Sequence, residues 1–216
     1  MMIRVVHLSK KIHGALILNN INLEMEGGYI YGLQGVNGSG KTMLMRALCG
    51  LIQPTDGRVI IDGKVLGKDQ DFPSSVGLLL ENPAFLSGYT GKENLMILAK
   101  LKGLAENSVD EALLSVGLDP NDSRKYRKYS LGMKQRLGIA GAILGNPDLI
   151  ILDEPFNALD TNGISMIHNL IHQLKSLNRI IVVACHSASE LYSLADKIFV
   201  IENGALELSR NEHEKT

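Results

Sequence analysis

Apolar and polar positions divide the chain into short alternating runs followed by longer helical ones. Ile3–Leu8 reads as a strand, and Ile17–Glu26 as a second, with Ile21, Leu23 and Met25 set between Asn22 and Glu24. Gly27-Gly28 marks a turn. Tyr29–Gln34 is a third strand that runs into a glycine-rich loop and then a helix over Lys41–Cys49. A turn at Gln53–Gly57 leads into a strand over Arg58–Asp62, and Val76–Leu80 is apolar throughout, the pattern of a strand buried on both faces. From Gly91 to Gly117 the spacing becomes helical, through Leu95, Leu98 and Leu101 and then Val109, Leu113 and Val116. Another helix is predicted from Ser130 to Leu144. Strands return at Leu149–Asp153, Arg179–Cys185, Lys197–Ile201 and Ala205–Leu208, with helices at Thr161–Leu177 and Ala188–Leu194 between them. This order predicts one α/β domain over 1–216, with a core at roughly 1–81 and 146–216 and a helical subdomain inserted at roughly 82–145. The tail Arg210–Thr216 is polar and reads as frayed.

Composition narrows the class. In 216 residues, 22 Lys and Arg balance 23 Asp and Glu, and 45% of positions are hydrophobic. Those values fit an ordinary globular domain. A net charge of −1 argues against a broad basic surface for nucleic acid. No apolar run reaches the about 18–20 residues that span a bilayer. The start, MMIRVVHLSKK, lacks the apolar core of a leader. Cys49 and Cys185 are too far apart in sequence for a metal or disulfide framework and fit a reducing compartment. The expectation is a soluble, cytoplasmic chain that works at a membrane only through a partner.

Two motifs carry chemistry. Gly35-Val36-Asn37-Gly38-Ser39-Gly40-Lys41-Thr42 fits G-x-x-x-x-G-K-[ST], between a strand and a helix. Its glycines let successive N–H groups face one phosphate, and the helix start adds its positive dipole end. Lys41 places a point charge at the β- and γ-phosphates, and the Thr42 hydroxyl can ligate Mg²⁺. The second motif is Leu149–Pro155, an apolar strand ending in Asp153 and Glu154. Strand ends of parallel sheets line the ligand crevice. Asp153 there supports the metal, directly or through its ligands, and Glu154 is the candidate general base for water.

Between them lies Tyr129-Ser130-Leu131-Gly132-Met133-Lys134-Gln135-Arg136, which with the phosphate loop resembles the ATP-binding cassette (ABC) family and its LSGGQ-x-QR signature. Asn157-Ala158-Leu159-Asp160 resembles that family's D-loop, His186 stands at its switch histidine, and Glu81 stands at its Q-loop glutamine. The resemblance implies a P-loop NTPase core with an N-terminal antiparallel β subdomain and an inserted helical subdomain. It implies ATP and Mg²⁺ as ligands, with Gly35, Asn37, Gly38, Ser39, Gly40, Lys41 and Thr42 on the phosphates. Thr42, Asp153 and Glu81 would serve the metal, Glu154 and His186 catalysis, and Ile12 the adenine. Ser130, Gly132 and Asp160 would complete the nucleotide site of a second copy in a head-to-tail homodimer, and a separate transmembrane permease would complete the transporter.

The departures are informative. Leu131 replaces the signature's first Gly and Met133 its Gln, Glu81 brings a charge where the family has an amide, and Ile12 stands where an aromatic usually stacks on adenine. SLGMKQR, the Q-loop Glu and Gly91-Lys92-Glu93-Asn94-Leu95 look like the exporting branch that includes bacitracin-resistance and lantibiotic-immunity transporters. The alternative is a soluble ABC ATPase acting on ribosome or DNA. Such proteins carry two cassettes or a long coiled-coil insert, whereas the stretch between Glu81 and Ser130 has room for a small helical subdomain alone. A guanine-reading Asn-Lys-x-Asp element is missing, which removes the GTPase reading.

Three weaker features remain. The basic run Arg124-Lys125-Tyr126-Arg127-Lys128 is either a solvated surface or a contact for nucleotide phosphate or anionic lipid. His168 and His172, at i,i+4, lack a third metal ligand. Pro83-Ala84-Phe85-Leu86 is either core filler or, as the resemblance implies, a docking surface for the membrane subunit.

Overall fold

The structure, a computed structural model, describes residues 1–81 and 83–209. The tail expected to fray lies outside the described residues. Ten strands and six α-helices follow in the order β1 (Met2–Ile12), β2 (Ala15–Glu26), β3 (Tyr29–Gln34), α1 (Lys41–Leu48), β4 (Asp56–Ile61), β5 (Lys64–Val65), β6 (Val76–Leu79), α2 (Gly91–Leu101), α3 (Asn107–Ser115), α4 (Leu131–Ile143), β7 (Leu149–Asp153), α5 (Thr161–Lys175), β8 (Ile180–Ala184), α6 (Ala188–Leu194), β9 (Lys197–Glu202) and β10 (Ala205–Ser209). One sheet is antiparallel, in the order β2-β1-β4-β5. The other runs β10-β9-β3-β8-β7-β6 and is parallel except for β10.

Strands β7 and β8 are buried at every position. Their alternation assigns successive side chains to opposite sides of the sheet. Leu149, Ile151, Ile180, Val182 and Ala184 join a core with α1 and the antiparallel sheet. Ile150, Leu152, Ile181, Val183 and Cys185 join a second core with α2–α6. The central sheet is thus covered on both faces, as its near-continuous apolar strands require.

Two expectations change, and two elements are new. The apolar run Val76–Leu80 predicts burial on both faces, but β6 is the edge strand of its sheet, and Val76 and Leu78 are half-buried. The 91–117 pattern is broken into α2 and α3 at Lys102–Glu106, where Gly103 takes φ 67. The short strand Lys64–Val65 and the single 3-10 turn at Tyr126–Lys128 have no sequence signal.

Helix α4 explains its glycines by close approach. A Cβ at Gly138 would lie 2.8 Å from both Leu79 and Pro83, and one at Gly132 would lie 2.8 Å from the Ala158 carbonyl oxygen. Facing them, a Cβ at Gly77 would overlap the Ala142 carbonyl, so α4 rests backbone-close on the edge strand. Gly141 makes only an ordinary contact, 3.4 Å to Phe85. Asn94, buried on α2, accepts from the Leu86 N–H at 2.8 Å and donates to the carbonyls of Leu86 and Thr90. That clamp, with the Thr90–Glu93 capping box, ties the loop before α2 to the helix.

Candidate functional site

Strands β3, β8, β7 and β6 are neighbours, and each carries one part of the site at its carboxyl end. The glycine-rich loop follows β3, Cys185 and His186 follow β8, Asp153 and Glu154 end β7, and Glu81 lies two residues beyond β6. The register holds Leu33, Ala184 and Asp153 level across three of these strands. Together they border a cavity of about 590 Å³, lined by Ile12, Ile17, Asn37, Gly38, Gly40, Lys41, Thr42, Met43, Glu81, Gln135, Asp153, Glu154 and Asn157.

The loop is held open from below. Gly38 and Gly40 take φ 81 and 113, conformations that cost glycine little. Gly40 is the N-cap of α1, and no side chain caps that helix, so its first N–H groups stay available. Lys41 Nζ donates to the carbonyls of Gly35 at 2.6 Å and Val36 at 3.2 Å. The buried Ser39 Oγ has no hydrogen-bond partner among the described residues. A Cβ at Gly35 would lie 2.5 Å from that oxygen, so glycine is what leaves it room.

The carboxylates are fixed separately. Asp153 Oδ2 accepts from Thr42 Oγ1 at 2.8 Å, across 111 residues of sequence. Burial pushes the Asp153 carboxyl above its ordinary value; the Thr42 hydrogen bond and the Lys41 charge oppose this, while Glu154 and Glu81 add to it. Glu154 has φ 51, a conformation uncommon for non-glycine residues. Its main chain is clamped at both ends: its N–H donates to Ala184 O at 2.8 Å, and Gln135 Nε2 donates to its carbonyl at 2.9 Å. Its carboxylate Oε2 lies 2.7 Å from His186 Nδ1. An ionised carboxylate only accepts, so that nitrogen carries the proton.

Uncapped helix N–H groups, a lysine ammonium and an orphaned buried hydroxyl fit a phosphate chain. Thr42 and Asp153 are hard oxygen donors of the kind Mg²⁺ takes. A softer ion suits the neighbouring group less well. Glu154, Cys185 and His186 place one ligand atom each within 4.8 Å of one another, but burial pushes the Cys185 thiol up to about 12, against the thiolate such an ion needs.

Of the residues picked out in the sequence, Ile12, Asn37, Gly38, Gly40, Lys41, Thr42, Glu81, Asp153 and Glu154 share the cavity. Gly35 and Ser39 pack on each other within the same loop without lining the cavity, and His186 meets it through Glu154. Ser130, Gly132 and Asp160 do not line it. Ser130 Oγ instead accepts from the Met133 N–H and caps α4, while Asp160 Oδ1 accepts from the Gly163 N–H and caps α5. Gln135 and Asn157, named above only as members of the signature-like and D-loop-like stretches, also line the cavity, and Gln135 is buried there.

The basic run is largely spoken for. Arg124 pairs with Asp122 and Lys125 with Glu93, and Tyr126 is buried, donating its hydroxyl to Pro83 O. Among the described residues, His168 and His172 belong to no cluster of three metal-ligating side chains. The His168 ring packs on Phe156, 4.8 Å between centroids. In the Pro83–Leu86 segment, Phe85 packs edge-on against Tyr126 while Leu86 is exposed.

A parallel sheet with a glycine-rich phosphate loop after one strand and an Asp-Glu pair after another defines a P-loop nucleotide triphosphatase. The sequence profile described as ABC transporter matches residues 18–157. Among curated relatives, an uncharacterized ABC transporter ATP-binding protein, YybJ of Bacillus subtilis (strain 168), is 46% identical over 209 residues, covering 96% of each chain. The bacitracin transport ATP-binding protein BcrA of Bacillus licheniformis is 41% identical over 207 residues, covering 94% of this chain and 68% of that one. The lantibiotic transport ATP-binding protein SrtF of Streptococcus pyogenes is 35% identical over 209 residues, covering 97% and 90%. A solved ATP-binding subunit of an ABC transporter superposes with TM-score 0.88 at 25% identity, covering 99% of this chain and 91% of that one. The ATP-binding cassette MJ0796, solved as a dimer bound to ADP and Pi, shares the fold with TM-score 0.85 at 23% identity, covering 96% and 99%.

The chain belongs to the ABC transporter family, as its ATP-binding and ATP-hydrolysing component. Among the described residues no helix is long and apolar enough to cross a membrane.

Proposed function

We propose that this chain powers an exporter of antibiotic or antimicrobial-peptide cargo. It does so as a cytoplasmic subunit held on the inner face of the plasma membrane by a separate transmembrane permease. The observation that carries this reading is the convergence of Lys41, Thr42, Asp153 and Glu154 on one cavity at the carboxyl ends of β3 and β7. The bacitracin and lantibiotic relatives support the exporter branch.

In this reading the N–H groups from Gly35 to Thr42 cradle the phosphates, and Lys41 leaves the Gly35 and Val36 carbonyls for the β- and γ-phosphate oxygens. Ile12 covers the adenine from the end of the β1–β2 hairpin. Thr42 and Asp153, with Glu81 at the rim, hold Mg²⁺, which when bound neutralises charge on the phosphate oxygens. Glu154 orients the attacking water and takes its proton. His186 holds the Glu154 carboxylate in the free chain and turns to the γ-phosphate in the loaded one. Ser130, Gly132 and Asp160 serve the nucleotide of a second copy, so the ATP state is a head-to-tail homodimer.

The test is Glu154→Gln. The amide keeps the size and loses the base, so this variant should bind Mg-ATP and elute as a dimer in size-exclusion chromatography, with hydrolysis down by about 10²–10⁴-fold. A variant that binds Mg-ATP and stays monomeric counts against the composite site.

A further inference from the structure

Arg46 forms an ion pair that the nucleotide reading does not use. It lies in the last turn of α1, and its Nη2 donates to Glu81 Oε1 at 2.5 Å. Side-chain exposures of 36% and 62% make this a partly solvated pair, so its contribution to folding is small and its value is local. The charged residues lining the cavity are Lys41 against Glu81, Asp153 and Glu154. With no metal bound, three carboxylates against one ammonium leave the side of the cavity opposite the phosphate loop negative, which opposes an anionic phosphate chain. The charge of Glu81 already reaches Asp153, where it adds to the effect of burial.

We propose that Arg46 is a positioning residue of the nucleotide site: its guanidinium cancels the charge of Glu81 and holds that carboxylate at the cavity rim, so that phosphate can enter. The proposal rests on reading the cavity as the Mg-nucleotide site. It gives Glu81 a built-in counter-ion on the same helix that begins with the phosphate lysine.

The experiment measures binding of a fluorescent ATP analogue to the whole chain in EDTA, where Glu81 has no metal to hold, at low and high salt. Arg46→Met should weaken binding about five- to tenfold at low salt, and the loss should shrink in high salt as exposed charges are screened. Adding Glu81→Gln in the Arg46→Met background should return the affinity to within about twofold of the parent, since the uncompensated charge is gone. Arg46→Lys keeps the charge and should bind nearly as the parent does. Unchanged binding by Arg46→Met overturns the proposal, as does a loss that Glu81→Gln fails to relieve, because Arg46 then acts without Glu81. If Arg46→Met does not fold, Glu81→Gln alone decides: it frees a positive charge and should tighten binding at low salt, and unchanged affinity overturns the proposal. A parent chain that binds no analogue, or binds it equally well as Lys41→Ala, takes down the nucleotide reading itself. Lys41-dependent binding that ignores Arg46 takes down this proposal alone.

Discussion

Helices α1 and α4 both begin beneath a polar loop, yet their first turns are finished in opposite ways. Helix α1 has no side-chain cap, and its first residues, Lys41 and Thr42, turn into a cavity that this chain builds for itself. Helix α4 is capped by Ser130, and its first residue, Leu131, is 73% exposed. An uncapped helix start holds free N–H groups for an anion. A capped one spends a donor internally and shows its remaining surface to solvent. The difference fits the proposed composite site, in which the phosphate half lies within one chain and the signature half offers its exposed face to a second copy.

The sharpest way to break this contrast is to damage each start separately. Lys41→Ala removes a charged donor that nothing else in the cavity replaces, and should weaken ATP binding by about 10²-fold. Ser130→Arg places bulk on the exposed signature face and should leave ATP binding by the isolated chain within about twofold while hydrolysis falls by about 10²-fold. Equilibrium binding and steady-state turnover on both variants check the pair. If Ser130→Arg weakens binding as much as Lys41→Ala does, the two starts serve one site in one chain, and the contrast fails.

A smaller effect concerns stability within the phosphate half. Asp153 is buried and its carboxyl is raised above the ordinary value, chiefly by burial. A raised carboxyl means that the folded chain binds the proton more tightly than the unfolded chain does. Stability therefore falls as pH rises through the unfolded value toward the folded one, and stays lower above it. Asp153→Asn removes that cost and keeps an oxygen for the Thr42 hydroxyl. It should melt higher than the parent at neutral pH, by about 2–4 °C for each kcal/mol recovered, and the gap should close in acid. Thermal melts across pH check this. A gap that widens in acid reverses the sign and removes burial as the cause. No such gain is expected from Ser130→Ala, which loses a cap and should cost about 1 kcal/mol.

How much of this was legible depends on how local each feature is. Strands β3 and β7 and helix α6 fall on their expected limits, because apolar runs bounded by Gly, Asp or Ser define their own ends. Strand β1 runs on to Ile12 through the polar Ser9-Lys10-Lys11, since pairing with β2 and β4 rather than an apolar pattern holds that end. Lys41, Thr42, Asp153 and Glu154 could be picked out because each sits in a short motif. The Arg46–Glu81 and Gln135–Glu154 contacts could not, being 35 and 19 residues apart and brought together only by the placing of β6 beside β7 and of α4 against them.

The smallest effect uses the two cysteines as reporters on either side of the central sheet. Cys49 ends α1 in the core beneath the antiparallel sheet, and Cys185 lies behind Glu154 and His186 at the end of β8. Both are buried, and burial pushes each thiol up to about 12. The Cys185 thiol also donates to Glu190 Oε2 at 3.0 Å. Alkylation needs the thiolate, so the native chain should resist iodoacetamide at mildly alkaline pH and react at both positions once unfolded. Opening of the segment after β8 would expose Cys185 without disturbing Cys49. Faster labelling of Cys185, suppressed by Mg-ATP, therefore marks the edge after β8 as the part of the phosphate half that yields first. Equal protection with and without nucleotide instead makes that edge as rigid as the helix core, and confines the difference between the two halves to α4.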